Sequence, residues 1–158
     1  MPQKKIDELA DRGDKRMSKY KSVKTVIDGI KFDSKAEGEF YLYLRRKEDK
    51  GEIALIGVHP KVRLQDKFSL AGKTYPAITY APDFHVEFVD GRELYFDVKG
   101  ISTPVALLKY KMYMHLQYTR PEFARVPLLW VKLERGLWVD YFSGKPINLD
   151  GETDASVR

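Results

Sequence analysis

Two neighbouring segments in the middle of the chain alternate apolar and polar side chains, which is the pattern of half-buried β-strands. The first is Phe84–Phe88, where both phenylalanines and the valine between them point to one face. The second is residues 94–99, where leucine, phenylalanine and valine alternate with tyrosine, aspartate and lysine. Asp90 and Gly91 lie between the segments and predict a hairpin turn.

The buried face decides the register of this hairpin. A two-residue loop would pair Phe84 with Asp97 and mix apolar with polar side chains on both faces. A three-residue loop, with Gly91 in the left-handed conformation, pairs Phe84 with Phe96 instead. Asp83 then lies opposite Asp97, and an all-apolar face is separated from a polar one. We therefore predict the longer loop, with the two carboxylates side by side.

Elsewhere, the spacing of apolar residues predicts two helices, over residues 34–50 and 104–118, and Pro104 takes the first helical position, which tolerates proline. A loop or hairpin is expected over residues 69–81, and a short turn or hairpin over 26–32. The remaining strands are expected at 53–58, 62–68, 127–133 and 137–142. The order is therefore one helix, about three strands, a second helix and further strands.

The ends of the chain are polar, so we predict a basic flexible arm over 1–27, a single domain over 28–142 and a polar tail over 143–158. A chain of 158 residues suffices for one domain with a core. There is no cysteine, no secretory pattern and no apolar run of membrane length, so a cytoplasmic location is the simplest expectation. The formal charge of +5 suits a polyanionic partner without proving one.

Three short segments of the chain are distinctive: FDSKAE at 32–37, YAPDF at 80–84 and DVKG at 97–100. With this order of elements, the chain resembles the PD-(D/E)xK nuclease superfamily and, within it, a family of small phage-encoded proteins. The similarity covers about residues 27–133. It implies an α/β (α+β) restriction-endonuclease-like fold of order α-β-β-β-α-β, Mg²⁺-dependent DNA hydrolysis, and kinship with Holliday-junction resolvases and restriction enzymes.

The chemistry of the site has its own rationale. Mg²⁺, or Mn²⁺ in its place, prefers oxygen ligands and is usually held by one or two carboxylates plus substrate phosphate. Asp83 and Asp97 would supply the carboxylates, and the backbone carbonyl of Val98 a further oxygen. Lys99 shares the face of Asp97, where it would hold the attacking water or neutralise charge in the transition state. The alternative is an ordinary Asp/Lys pair on a polar strand face.

The resemblance makes Glu37 the third carboxylate of the site. The same residue also completes a capping box, in which its side chain would reach back to the amide of Ser34 at the start of the first helix. The two roles would compete for one carboxylate, or a water molecule would join them. Glu39 is the alternative if the helix begins later.

Several basic residues are candidates for contact with DNA. His85 shares the face of Asp83 and either contacts a phosphate or is only a strand residue. Lys109 and Lys111 follow the catalytic strand on the second helix, where they either touch phosphates or form a solvated face. The arm would clamp DNA or remain a plain tail; its basic residues are Lys15, Arg16, Lys19, Lys21 and Lys24.

Three functions follow from this reading. The first is a Mg²⁺-dependent DNA endonuclease, with a preference for branched DNA or Holliday junctions as one version. The second is a restriction- or homing-type endonuclease acting on duplex DNA. The third is a catalytically weak DNA-binding protein that assists replication or recombination on a nuclease scaffold. No membrane partner is expected. A homodimer would allow two symmetric cuts, and Trp130 and Trp138 fit either a core or a dimer surface.

Overall fold

A computed structural model describes residues 23–149, and the chain divides into two units between Gly38 and Glu39. In this part of the chain, no helix combines the length and the apolar character needed to cross a membrane. The elements, in chain order, are β1 (Thr25–Ile27), β2 (Ile30–Phe32), α1 (Lys35–Asp49), β3 (Ile53–Val58), β4 (Val62–Gln65), β5 (Phe68–Leu70), β6 (Lys73–Tyr75), β7 (Ile78–Tyr80), β8 (Phe84–Phe88), β9 (Glu93–Val98), α2 (Pro104–Thr119), α3 (Pro121–Ala124), β10 (Leu128–Glu134) and β11 (Leu137–Asp140).

The first unit contains a short hairpin of β1 and β2, followed by the first residues of α1. Asp28 and Gly29 both adopt positive φ, as a tight two-residue turn requires. The hairpin packs on the helix where Gly38 has no side chain, because a Cβ atom there would lie 2.6 Å from Cγ2 of Thr25. The hairpin expected over residues 26–32 is confirmed, although β1 begins inside the segment assigned to the flexible arm.

The second unit is built on a five-stranded sheet of order β11-β10-β9-β8-β3. The pair β9–β10 is parallel and the other pairs are antiparallel, so the sheet is mixed. The ring of Phe40, in α1, lies 5.7 Å from that of Phe84 and 5.2 Å from that of Phe96, on one face of the sheet. On the other face, α2 contributes the buried Tyr113 to a cluster that includes Trp130. The predicted α+β class, with a mixed sheet flanked by helices, is confirmed.

The predicted register of the central hairpin is also confirmed. Phe84 pairs with Phe96, and the strands are joined through Gly91, whose φ is +88°. The amide of Gly91 donates to the carbonyl of Phe88 over 3.0 Å and closes the turn. All three apolar side chains of β8 are buried on the face that α1 covers.

The opposite face of the hairpin is less polar than predicted. The parallel strand β10 places Trp130 beside Asp97 on that face, and α2 covers it. Asp97 is consequently only 2% exposed, in a second core rather than on an open polar surface. Trp130 is fully buried and belongs to the core, whereas Trp138 is half-buried with its ring 4.8 Å from that of Phe40.

Between β3 and β8 the chain forms a two-stranded ribbon over residues 62–80, where a strand over 62–68 and a loop or hairpin over 69–81 were expected. β4 pairs with β7 at its base, and β5 pairs with β6 at its outer end. At the other end of the unit, residues 143–149 extend the folded region past the boundary expected at 142. Pro146 forms a bridge with Val139, and Leu149 is buried.

Candidate active site

Asp83 stands directly before β8 and after the buried Pro82. The amide of His59 donates to the Asp83 carbonyl over 2.8 Å, which ties this residue to the end of β3. The amide of Val98 donates to Oδ2 of Asp83 over 2.7 Å. A backbone donor on the neighbouring strand therefore orients the Asp83 carboxylate, one residue away from Asp97.

Asp97 is the one buried charged residue in the described part of the chain. Its Oδ1 lies 2.8 Å from Nζ of Lys99, and its Oδ2 accepts a hydrogen bond from the hydroxyl of Tyr80. The same hydroxyl accepts a hydrogen bond of 2.8 Å from Nε1 of Trp130. A buried carboxylate needs such partners, because losing its hydration without compensation costs several kcal/mol.

Tyr80 is a residue of the candidate site that the sequence reasoning did not assign. Burial raises the pKa of its phenol far above the ordinary range, and the negative charges of Asp97 and then Asp83 raise the pKa further. The phenol therefore remains protonated and keeps donating to Asp97. Since 17 residues separate Tyr80 from Asp97 and 50 separate it from Trp130, no local pattern could have revealed either contact.

Lys99 holds its ammonium group against two partners. Besides Asp97, its Nζ lies 5.1 Å from the centre of the Trp130 ring, a cation–π distance. The side chain is 21% exposed, against 3% for that of Asp97. Asp83, Val98, Asp97 and Lys99 are thus gathered around the end of the β8–β9 hairpin, as the register predicted.

Glu37 caps the start of α1. The amide of Glu37 donates to Oγ of Ser34 over 3.1 Å, and that hydroxyl donates to Oε1 of Glu37 over 3.0 Å. Oε2 of Glu37 accepts from the amide of Asp33 over 3.1 Å, whereas the amide of Ser34 was expected. The capping box is confirmed with this one-residue difference. Because α1 begins at Lys35, the condition for using Glu39 instead is not met. The role of Glu37 as third carboxylate stays a prediction.

His85 lies in an acidic environment. Its Nε2 is 2.8 Å from Oε2 of Glu93, and Glu87 pairs with Glu93 across the hairpin. One ligand atom from each of the three side chains lies within 4.8 Å of the others. Imidazole and carboxylate ligands together suit Zn²⁺ or Mn²⁺. The phosphate contact of His85 stays a prediction.

The other basic candidates within the described residues lie on α2 and before β1. Lys109 is half-buried and Lys111 exposed on α2, and in residues 23–149 neither forms an ion pair with Asp83 or Asp97. Lys24 is exposed just before β1. The remaining basic residues of the predicted arm lie outside the described residues: Lys15, Arg16, Lys19 and Lys21.

One comparison with known proteins identifies a family. The sequence model of the family described as "Protein of unknown function (DUF1064)" matches residues 17–134. This segment covers more than half of the chain and contains every residue gathered around the β8–β9 hairpin. No curated protein and no solved structure matches the chain.

Proposed function

The chain belongs to the DUF1064 family, and from its site we propose that it is a metal-dependent DNA endonuclease that hydrolyses phosphodiester bonds. One arrangement carries the proposal. Asp83 directly precedes β8 and Asp97 lies near the end of the adjacent β9, in a register that brings them together, and the ammonium group of Lys99 lies 2.8 Å from Asp97. Two carboxylates and one amine, partly shielded from water, are a suitable set for hydrolysing a phosphodiester.

The donor atoms fit Mg²⁺, with Mn²⁺ as a substitute. Asp83 and Asp97 offer hard carboxylate oxygens, and each carboxylate has about four lone-pair positions, so one that already accepts a hydrogen bond can still bind an ion. The carbonyl of Val98 and the carboxylate of Glu37 remain the predicted further ligands. When bound, the ion polarises the phosphoryl group and makes a bound water more acidic.

The residues of the chain would do three things in this reaction. The amide of Val98 holds the Asp83 carboxylate in place, and the Tyr80 hydroxyl does the same for Asp97. Both supports come from residues that are themselves packed, which keeps the two carboxylates in a fixed relative position. Lys99 would stabilise the negative charge that develops on the phosphoryl oxygens.

DNA is the proposed substrate because the chain has a formal charge of +5. A branched-DNA or Holliday-junction preference, a phage origin, a homodimer and a cytoplasmic location belong to the proposal on the strength of the sequence resemblance. A restriction- or homing-type endonuclease would use the same site on duplex DNA.

The burial of Asp97 favours a second candidate function, that of a catalytically weak DNA-binding accessory protein. With 2% exposure and both oxygens in contact with partners, Asp97 can also be explained as half of a structural ion pair with Lys99. The two functions differ in one respect. A nuclease requires Asp97 for cutting, whereas an accessory protein binds DNA without metal-dependent cutting.

The test is cleavage of linear duplex, single-strand, flap and four-way-junction DNA with Mg²⁺, Mn²⁺ or EDTA. Asp97→Asn is compared with Asp49→Asn, which changes an exposed aspartate at the end of α1. We expect metal-dependent cutting that Asp97→Asn lowers by a factor on the order of 10²–10³ and Asp49→Asn leaves unchanged. Tight binding with no cutting of any substrate would support the accessory protein instead.

A further inference from the structure

The ribbon over residues 62–80 differs sharply between its base and its outer end. At the base, Val62, Leu64 and Tyr80 are buried in the cluster that includes Trp130. At the outer end, every residue of β5 and β6 is exposed. An isolated pair of strands is at best marginally stable in water, so an outer half with no buried face calls for an explanation.

The two faces of this outer half have different compositions. Phe68 pairs with Tyr75 and Leu70 with Lys73, so these four side chains share one face. The two rings stack at 4.9 Å between centroids, and Nζ of Lys73 lies 5.2 Å from the Tyr75 ring. Phe68 is 45% exposed and Leu70 66%. The other face carries only Ser69 and Thr74, whose hydroxyls are 3.0 Å apart.

The ribbon also concentrates positive charge. Residues 62–80 contain three basic residues and one acidic residue, a formal charge of +2 within a chain of +5. The acidic residue, Asp66, forms an ion pair of 3.2 Å with Arg63, but both side chains are more than two-thirds exposed, so the pair is weak. Arg63 and Lys67 line an open depression between the two halves of the ribbon. Thr74 lines the same depression, so Arg63 and Lys67 lie on the face opposite the rings, while Lys73 lies beside the ring of Tyr75. An anion therefore meets a cation on either face of the ribbon.

The ribbon leads directly into the candidate site. Its last residue, Tyr80, donates to Asp97, and Asp83 follows three residues later. Eight residues separate Tyr80 from Gly72 in the turn at the outer end, which corresponds to at most about 26 Å of strand. With about 3.4 Å per base pair, this length spans some seven base pairs from the site.

We propose that the ribbon binds duplex DNA and lies in one of its grooves, on one side of the cut. The major groove is wide enough to admit a two-stranded ribbon. Arg63, Lys67 and Lys73 contact phosphates, while Phe68 and Tyr75 pack against sugars and base edges. This inference rests on the proposed function for its position relative to the cut, and on the ribbon's own charge and exposed face for its ligand.

Two double variants test the DNA-binding role of the ribbon. Lys67→Gln with Lys73→Gln removes charge, and Phe68→Ala with Tyr75→Ala removes the rings. Tyr118→Ala, which removes a ring that is 90% exposed outside the ribbon, is the control. Affinity for a duplex is measured by fluorescence anisotropy at several salt concentrations in the Asp97→Asn background, and cleavage at saturating DNA is measured with Asp97 intact. Thermal unfolding checks that each variant stays folded.

We expect the ring variant to weaken duplex binding by about tenfold or more. The charge variant should lower the slope of log affinity against log salt by about 1.8, because two phosphate contacts are lost. Cleavage at saturating DNA should stay within about threefold of the wild type, since the carboxylates are untouched. The control should bind and cut as the wild type does.

The outcomes separate this inference from the proposed function. If both ribbon variants bind duplex DNA as tightly as the control does, the proposed DNA contact of the ribbon is overturned, even when cleavage is intact. If the wild type binds DNA through the ribbon but never cuts it, the proposed role of the ribbon is supported and the proposed nuclease activity is wrong. If the full chain binds no DNA, the proposed role of the ribbon is overturned as well, and the exposed rings of the ribbon serve another partner.

Discussion

The hydroxyl of Tyr80 donates a hydrogen bond to the buried carboxylate of Asp97 and accepts one from the indole of Trp130. This relationship joins three strands, β7, β9 and β10, at one point. It also means that a candidate metal ligand depends for its position on a residue in the ribbon. The stability of the fold and the geometry of the site are therefore coupled through a single phenol.

Replacing Tyr80 by phenylalanine tests this coupling. Asp97 and Trp130 would each lose a buried partner, which should lower the free energy of unfolding by about 1–3 kcal/mol. We also expect the Mg²⁺ concentration needed for half-maximal cleavage to rise by about tenfold or more, as when a supporting residue of a metal site is lost. Urea denaturation and a metal titration measure the two effects. Tyr118→Phe, at a position 90% exposed, is the control; equal stability of the two variants would contradict the prediction.

The same phenol predicts a loss of stability in alkaline solution. Burial and the neighbouring carboxylates raise the pKa of Tyr80 in the folded chain, and burial also raises the pKa of Tyr113. Below about pH 10 both states are protonated and the stabilisation is complete. Above that pH the unfolded chain ionises first, so the free energy of unfolding falls by up to about 1.4 kcal/mol per pH unit for each tyrosine.

Urea denaturation between pH 8 and 11 measures this slope. Near pH 11, where an unfolded tyrosine is about nine-tenths ionised, the Tyr80→Phe variant should show a slope shallower by about 0.9 proton than the wild type. An identical slope in the two proteins would mean that Tyr80 does not resist ionisation in the folded chain.

Substitutions at Lys99 and Asp97 are expected to change the stability of the fold and the cleavage activity independently. Lys99→Met removes the cation from a carboxylate that is 2% exposed, which should cost about 3–5 kcal/mol of stability and abolish cleavage. Adding Asp97→Asn removes the unpaired charge, so stability should recover while cleavage stays absent. Thermal unfolding and a cleavage assay on both variants check this. Recovery of cutting in the double variant would exclude the site.

Substitutions at Glu37 and Ser34 distinguish the helix-capping role of Glu37 from its predicted catalytic role. Glu37→Gln retains a side chain that can complete a capping box but loses the negative charge. Ser34→Ala keeps the charge and loses the cap, at a cost of about 1 kcal/mol. If Glu37 is a metal ligand, the glutamine variant loses cleavage at nearly unchanged stability, while the alanine variant loses stability and keeps cleavage below its unfolding temperature. Normal cutting by Glu37→Gln would leave Glu37 as a helix cap alone.

Much of the fold could be predicted because the decisive signals are local. The alternation of apolar side chains in Phe84–Phe88 and residues 94–99 allowed only one register that buries a whole face, and β8 and β9 adopt that register. The strand over Ile53–Val58 has the predicted bounds. The observed ends of α1 and α2 differ from the predicted ends by about one residue. A helix period or a two-residue strand period can be read within a dozen residues, before any distant contact is known.

The candidate site was predictable only in part, for the same reason. The sequence by itself determined that Asp83 and Asp97 are neighbours, because the hairpin between them is short and its register follows from the buried face. Only the tertiary structure decided that Asp97 is buried, because β10 arrives from more than thirty residues later and brings Trp130 onto that face. The contacts of Tyr80, the acidic surroundings of His85 and the exposed outer half of the ribbon likewise depend on residues far apart in the chain or on packing, which no local period encodes.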